Sequence, residues 1–134
     1  MMSYPILIPM FVHVIWVAIL YAALTLFRAP NVWGLGKNLD ASGSFGNLER
    51  KVSANLSNQF EWPVLFYVIC LLIISTGASH FSFVWLAWLF VVGRFFHTFV
   101  QVFTGNIRLR GIVFTINFIA VLAMWCIFVQ GNIT

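Results

Sequence analysis

Long apolar stretches alternate with short polar ones along this chain, and the stretches exceed what a soluble core uses. Pro5 to Phe27 runs 23 residues without Asp, Glu, Lys or Arg and closes at Arg28. Trp62 to Gly93 runs 32 residues in the same way. A bilayer's hydrocarbon takes about 20 apolar residues per helix, so this second stretch holds parts of two spans, divided at Ser75-Thr76-Gly77-Ala78-Ser79. Gly111 to Gly131 supplies a last span. The pattern predicts helices over about 5–28, 47–74, 81–103 and 111–131 within one domain, 1–134. The fold class that follows is all-α, an integral membrane four-helix bundle. The first stretch is not a signal peptide, because no Lys or Arg precedes it and it is too long for the apolar centre of one. Pro63 removes a backbone donor and predicts a local bend beside Glu61. The segment 29–48, rich in Gly, Ser and Asn, reads as a long loop.

Composition sharpens this. Of the 134 residues, 62% are hydrophobic and 7% charged. A soluble domain carries about a quarter charged residues, so ten charged side chains (seven Lys/Arg, three Asp/Glu) cannot coat a globule. A cytosolic enzyme, a secreted soluble domain and a disordered chain are excluded. The net charge of +4 contains no basic run beyond Arg50-Lys51, which argues against nucleic acid as a partner. It reports topology instead. Arg28, Lys37, Arg50 and Lys51 fall in or beside the first connection, Arg108 and Arg110 in the third, and none in the second connection or the tails. By the positive-inside rule, loops 29–48 and 104–110 are cytoplasmic and both termini outside. Gly34-Leu35-Gly36 is not a nucleotide fingerprint, since no strand precedes it. Cys70 and Cys126 sit in apolar runs with no Cys/His metal spacing, so no metal is expected and any reacting thiol comes from outside.

Ionisable residues inside the apolar slab carry the candidate chemistry, because a charge near the bilayer centre costs about 2.5–3.5 kcal/mol on insertion scales. Arg50, Ala54, Ser57, Asn58 and Glu61 share one helical face, a polar stripe climbing about 16 Å. Arg94, His97 and Gln101 form a second stripe at i, i+3, i+7. Arg94 is always charged, and Glu61 is the one carboxylate available at a similar depth. Charge balance predicts that the two pair. Such a pair can simply pin two helices. With Arg50, Asn58, His97, Gln101, Arg108 and Arg110 it can also form a cationic, donor-rich cleft for a small anion whose carboxylates match the guanidinium fork. His13 reads as a packing histidine. Trp16, Trp85, Trp88 and Trp125 read as lipid-facing or belt residues.

The segments Asn58-Gln59-Phe60-Glu61-Trp62-Pro63 and Gly93-Arg94-Phe95-Phe96-His97, with a basic pair at 108 and 110, resemble the MAPEG family, the membrane-associated proteins of eicosanoid and glutathione metabolism. The resemblance implies a homotrimer in the lipid bilayer, with glutathione as co-substrate bound between subunits near the cytoplasmic face. It implies a lipophilic small-molecule substrate entering from the membrane. Arg28, Arg50, Asn58, Glu61, Arg94, His97 and Gln101 are the binding residues so implied. Arg108 matches the arginine of leukotriene-synthase-like members and Arg110 that of prostaglandin-synthase-like members, so either can activate the thiol. Three positions depart from the pattern. Ala54 stands where an Arg is common, Gln101 where a Tyr is common, and Gly111 where prostaglandin-synthase-like members have Ser. Two functions follow: a glutathione transferase or peroxidase acting on lipophilic electrophiles, or a non-catalytic lipid-binding or accessory membrane protein of the same fold.

Overall fold

The structure is a computed structural model that describes residues 4–34, 43–78 and 80–133. The chain forms α1 (Leu7–Val32), α2 (Ser44–Asn58), α3 (Trp62–Thr76), α4 (Phe81–Phe103) and α5 (Ile107–Ile133). Four segments are long and apolar enough to cross a membrane: Leu7–Pro30, Ser44–Thr76, Phe81–Phe103 and Ile107–Ile133. The four-span plan expected from hydropathy is the one observed, with the second span divided between α2 and α3.

The boundaries have local causes. α1 runs through Pro30 and stops at Trp33, whose N–H bonds Ala29 O at 2.9 Å, before Gly34 at φ +66°. The first helix thus ends about a turn later than hydropathy suggests. Residues 35–42, the middle of the expected loop with Lys37 and most of the Gly34-Leu35-Gly36 motif, lie outside the described residues. α3 ends on Gly77 at φ +67°, with Ala78 N–H bonding Ile73 O and Gly77 N–H bonding Ile74 O. This reversed double bond satisfies the last carbonyls, and glycine alone adopts its left-handed backbone without strain. α4 opens on His80, whose ring nitrogen Nδ1 accepts the Ser82 N–H. α5 begins four residues earlier than expected because Asn106 Oδ1 accepts the Leu109 N–H at 3.0 Å, an N-cap that draws Arg108 and Arg110 into the first turn.

Two apolar clusters hold the bundle. One joins Phe66, Ile69, Cys70 and Ile73 of α3 to Ala87, Phe90 and Val91 of α4 and Ala120, Val121 and Met124 of α5, with Phe66 stacked on Phe90 at 4.3 Å between centroids. The other joins Leu20 and Leu24 of α1 to Val52 and Leu56 of α2 and Val102 of α4. Beside these clusters lie the buried polar residues His13 on α1, Asn55 and Gln59 on α2 and at its end, and Arg94, Thr98 and Gln101 on α4. The outward faces are apolar: Phe11, Leu26, Leu71, Trp85, Phe99 and Ile119 are all exposed. In a bilayer this surface meets lipid. Trp85 is outward as expected, whereas Trp16 turns in and donates to Thr98 Oγ1 at 3.4 Å. The α4–α5 seam is close at Gly93, where a Cβ would collide with Asn117 Oδ1.

Candidate functional site

The site begins at the interruption between α2 and α3. α2 stops at Asn58, and Pro63 stands in the first turn of α3, where its missing N–H leaves no helix bond unmade. Gln59 and Phe60 N–H groups close the Leu56 and Ser57 carbonyls in tight turns, and the Asn58 carbonyl is left for another donor. Arg94, 1% exposed, fills that gap. Its Nη2 donates to Asn58 O at 3.0 Å and its Nε donates to Gln59 Oε1 at 2.9 Å. The cation rests on the negative end of a helix and on an amide oxygen.

This corrects the expected Glu61–Arg94 ion pair. Among the described residues, the ion pair within 4.0 Å is Arg28–Glu49, at 2.9 Å. Glu61 is the N-cap residue of α3, with φ −88° and ψ −95°, which carries it out of the register of α2 and leaves it exposed. No Glu61 oxygen lies within 4.0 Å of the Arg94 guanidinium. Charge balance suggested a carboxylate partner, but oriented backbone dipoles serve the same end and carry no sequence signature.

The two predicted stripes fare differently. Arg94, His97 and Gln101 of α4 all point inward, 1%, 3% and 9% exposed. On α2, Arg50, Ala54, Ser57 and the following Glu61 point outward instead, and Asn58 is half-buried at the edge. The inward face of α2 is Val52, Asn55, Leu56 and then Gln59. Asn55 and Gln59 were missed by the sequence reading. The signal was present in their spacing of four and their phase with Val52 and Leu56, but they were hidden by the denser polar stripe beside them.

Asn55 and Gln59 are the centre of a buried hydrogen-bond row. His13 meets Tyr67 Oη at 2.6 Å through Nδ1 and Gln59 Oε1 at 3.1 Å through Nε2. Gln59 Nε2 donates to Asn55 Oδ1 at 3.2 Å, and Asn55 Nδ2 donates to Gln101 Oε1 at 2.9 Å. Thr98 Oγ1 lies 2.9 Å from Asn55 Oδ1, and Asn58 Nδ2 lies 3.5 Å from Gln101 Oε1. His13 is therefore a partnered member of a network joining α1, α2, α3 and α4.

Gln101 is where the row reaches the surface. It lines a cleft of about 290 Å³ together with Arg50, Lys51, Asn106 and Arg110, between α2, the end of α4 and the start of α5. Three cations and no carboxylate line it. Lys51 Nζ donates to Val102 O at 3.4 Å, while the Arg50 and Arg110 guanidinium groups make no hydrogen bond or ion pair among the described residues. The charge of the cleft's lining suits an anion. Its volume lies at the lower edge of small-molecule sites, about 300–1,000 Å³.

The remaining expected residues lie apart from this cleft. Arg28 is engaged by Glu49 Oε1 at 2.9 Å and Ser53 Oγ at 3.3 Å. Arg108 is exposed on the first turn of α5 and does not line the cleft. His97 packs behind it against Phe114, with ring centroids 6.2 Å apart, and its Nδ1 has no partner among the described residues. Asn117 is fully buried one turn further along the seam with both amide atoms likewise unpartnered. A larger hollow of about 480 Å³, at the opposite end between Tyr4, Ile73 and Phe83, holds none of the expected residues.

A four-span helical membrane protein with a buried amide–guanidinium network and a cationic cleft at one end is the class these features define. Comparison with protein families names it more closely: the MAPEG family matches residues 6–129, and the chain belongs to that family. No curated protein and no solved structure matches it.

Proposed function

We propose that this protein is a membrane-embedded, glutathione-dependent transferase or peroxidase acting on lipophilic electrophiles. The observation that carries the reading is the cleft, where Arg50, Lys51, Gln101 and Arg110 converge without a carboxylate, in a chain of the MAPEG family. Glutathione suits it chemically. Arg50, Lys51 and Arg110 match its carboxylates, and the tripeptide supplies the thiol that serves as nucleophile. Arg110 is placed to favour the thiolate by charge, since a nearby guanidinium raises the thiolate fraction at neutral pH. Apolar flanks on α4 and α5 suit a co-substrate that arrives from the bilayer. Gly111, with no hydroxyl to offer, favours a second reading, a non-catalytic lipid-binding or accessory protein that keeps the fold.

We further propose a homotrimer. The outward polar stripe Arg50, Ala54, Ser57 and Glu61 is exposed in the single chain, and in a membrane it calls for protein or ligand rather than lipid. A neighbouring copy covers it and brings Glu61 into the glutathione site. Arg28, Arg108 and His97 then act at the rim or behind the site. The positive-inside count puts the cleft on the cytoplasmic face and both termini outside.

The test is calorimetry of glutathione with detergent-purified protein, followed by conjugation of a generic aryl halide and reduction of a lipid hydroperoxide. Micromolar to millimolar binding with turnover supports the enzyme. Binding without either reaction favours the accessory reading, and absence of binding overturns the glutathione assignment.

A further inference from the structure

The buried row leaves its amides no choice of orientation. The Arg94 guanidinium has donors and no acceptor, so the Gln59 atom that faces its Nε at 2.9 Å is the carbonyl oxygen. The same oxygen faces His13 Nε2 at 3.1 Å, so that nitrogen carries hydrogen and Nδ1 is left to accept from the Tyr67 hydroxyl. Turning Gln59 over would set its NH2 against the Arg94 Nε–H, an obligate donor. With Oε1 so held, its NH2 faces Asn55 at 3.2 Å, and Asn55 must answer with Oδ1. The Asn55 NH2 then faces Gln101 at 2.9 Å, and Gln101 must answer with Oε1. Asn58 Nδ2 meets that same oxygen at 3.5 Å. Along the line from Gln59 through Asn55 to Gln101, the NH2 left without an internal partner is that of Gln101, and Gln101 lines the cleft.

We propose that Gln59 is a positioning residue for the cleft: locked in one orientation by Arg94 and His13, it sets Asn55 and through it makes Gln101 present N–H donors, rather than a carbonyl, to an anionic ligand. Polarity passes across four side chains in a fixed sense, because each amide has one donor end and one acceptor end and water is excluded from the row. The cleft thereby gains a neutral donor beside its three cations and discriminates against ligands that present donors of their own. This rests on the glutathione reading only for the identity of the anion.

Gln59→Glu tests it. A carboxylate at position 59 still accepts from Arg94 and His13, so the fold keeps its partners. It offers Asn55 an acceptor instead of a donor. Asn55 and then Gln101 must turn over, and the cleft receives a carbonyl oxygen. Side-chain amide NMR on the whole protein in nanodiscs reads this without any ligand. The Gln101 NH2 exchanges with water faster than those of Asn55 and Gln59 in the wild type, and becomes protected in Gln59→Glu. A protected Gln101 NH2 in the wild type, or one indifferent to Gln59→Glu, overturns the proposal. Glutathione calorimetry supplies the functional arm. Gln59→Glu weakens binding by about ten- to a hundredfold, and the loss disappears when Gln101→Met is already present. An equal loss in both backgrounds means that Gln59 acts only through stability and overturns the proposal. A wild type that binds no glutathione overturns the proposed function alone and leaves the NMR arm to decide this one.

Discussion

Arg94 is the residue on which the interior turns. A buried guanidinium needs acceptors, and it finds them in the Asn58 carbonyl and the Gln59 amide. Removing its charge leaves those acceptors stranded, at about 1–3 kcal/mol for each buried group left unpaired. Arg94→Gln is therefore expected to lower thermal stability in detergent well beyond Glu61→Gln, which alters an exposed side chain and should stay within about 0.5 kcal/mol of wild type. Equal losses in the two variants would restore the direct ion pair that hydropathy and charge balance suggest. Gly93 is the other sensitive position. Alanine normally gains about 1 kcal/mol over glycine in a helix, but here its Cβ meets Asn117 Oδ1. Overpacking costs about 1–3 kcal/mol, so Gly93→Ala is expected to lower the melting temperature. Adding Asn117→Ala should return it to wild type or above, because the two sites are in contact and their effects couple.

At the scale of elements, α2 shows how far periodicity reaches. The 3.6-residue repeat assigns its residues to faces correctly, but periodicity alone does not say which face turns inward. The richer stripe, Arg50 to Glu61, is the outward one. Packing of Val52 and Leu56 on α1 and α4 decides the matter, since burying those two side chains outweighs the polarity of Asn55 between them. The α5 start offers a separable test. Asn106 caps the helix and also lines the cleft. Asn106→Ala is expected to cost about 1 kcal/mol of stability through the lost cap. Asn106→Asp keeps the cap and improves the match to the helix dipole, yet adds a negative charge to an anion cleft. Stability should hold in that variant while glutathione affinity falls. Arg110 and Arg108, two residues apart on the same turn, divide in the same manner. Turnover in the aryl halide assay should fall about ten- to a hundredfold in Arg110→Ala, from the loss of one charge-assisted hydrogen bond worth about 1.5–3 kcal/mol. It should change little in Arg108→Ala.

For the whole molecule, lipid replaces water as the outer solvent, and the apolar exterior follows. The proposed orientation is open to direct measurement. Cys70 is fully buried, so replacing the exposed Cys126 leaves little reactive thiol on the surface. On that background, Ala78→Cys should react with a membrane-impermeant maleimide on intact cells and Gly105→Cys only after lysis. The reverse pattern would turn the protein over and put the cleft outside. Native mass spectrometry from several detergents should give three copies per particle, and a persistent monomer would leave the outward stripe of α2 facing lipid.

Sequence alone determined the number of spans, the inward stripe on α4 and the bend before Pro63. These depend on hydropathy, helical phase and backbone chemistry, which are local properties of the chain. Tertiary structure decided what Arg94 pairs with, which face of α2 is buried, and which basic residues meet at the cleft. Those depend on where a helix ends in space and what packs against it. Carbonyl groups at a helix terminus look the same in every sequence, and the direction of an amide is set by its neighbours rather than by its own identity.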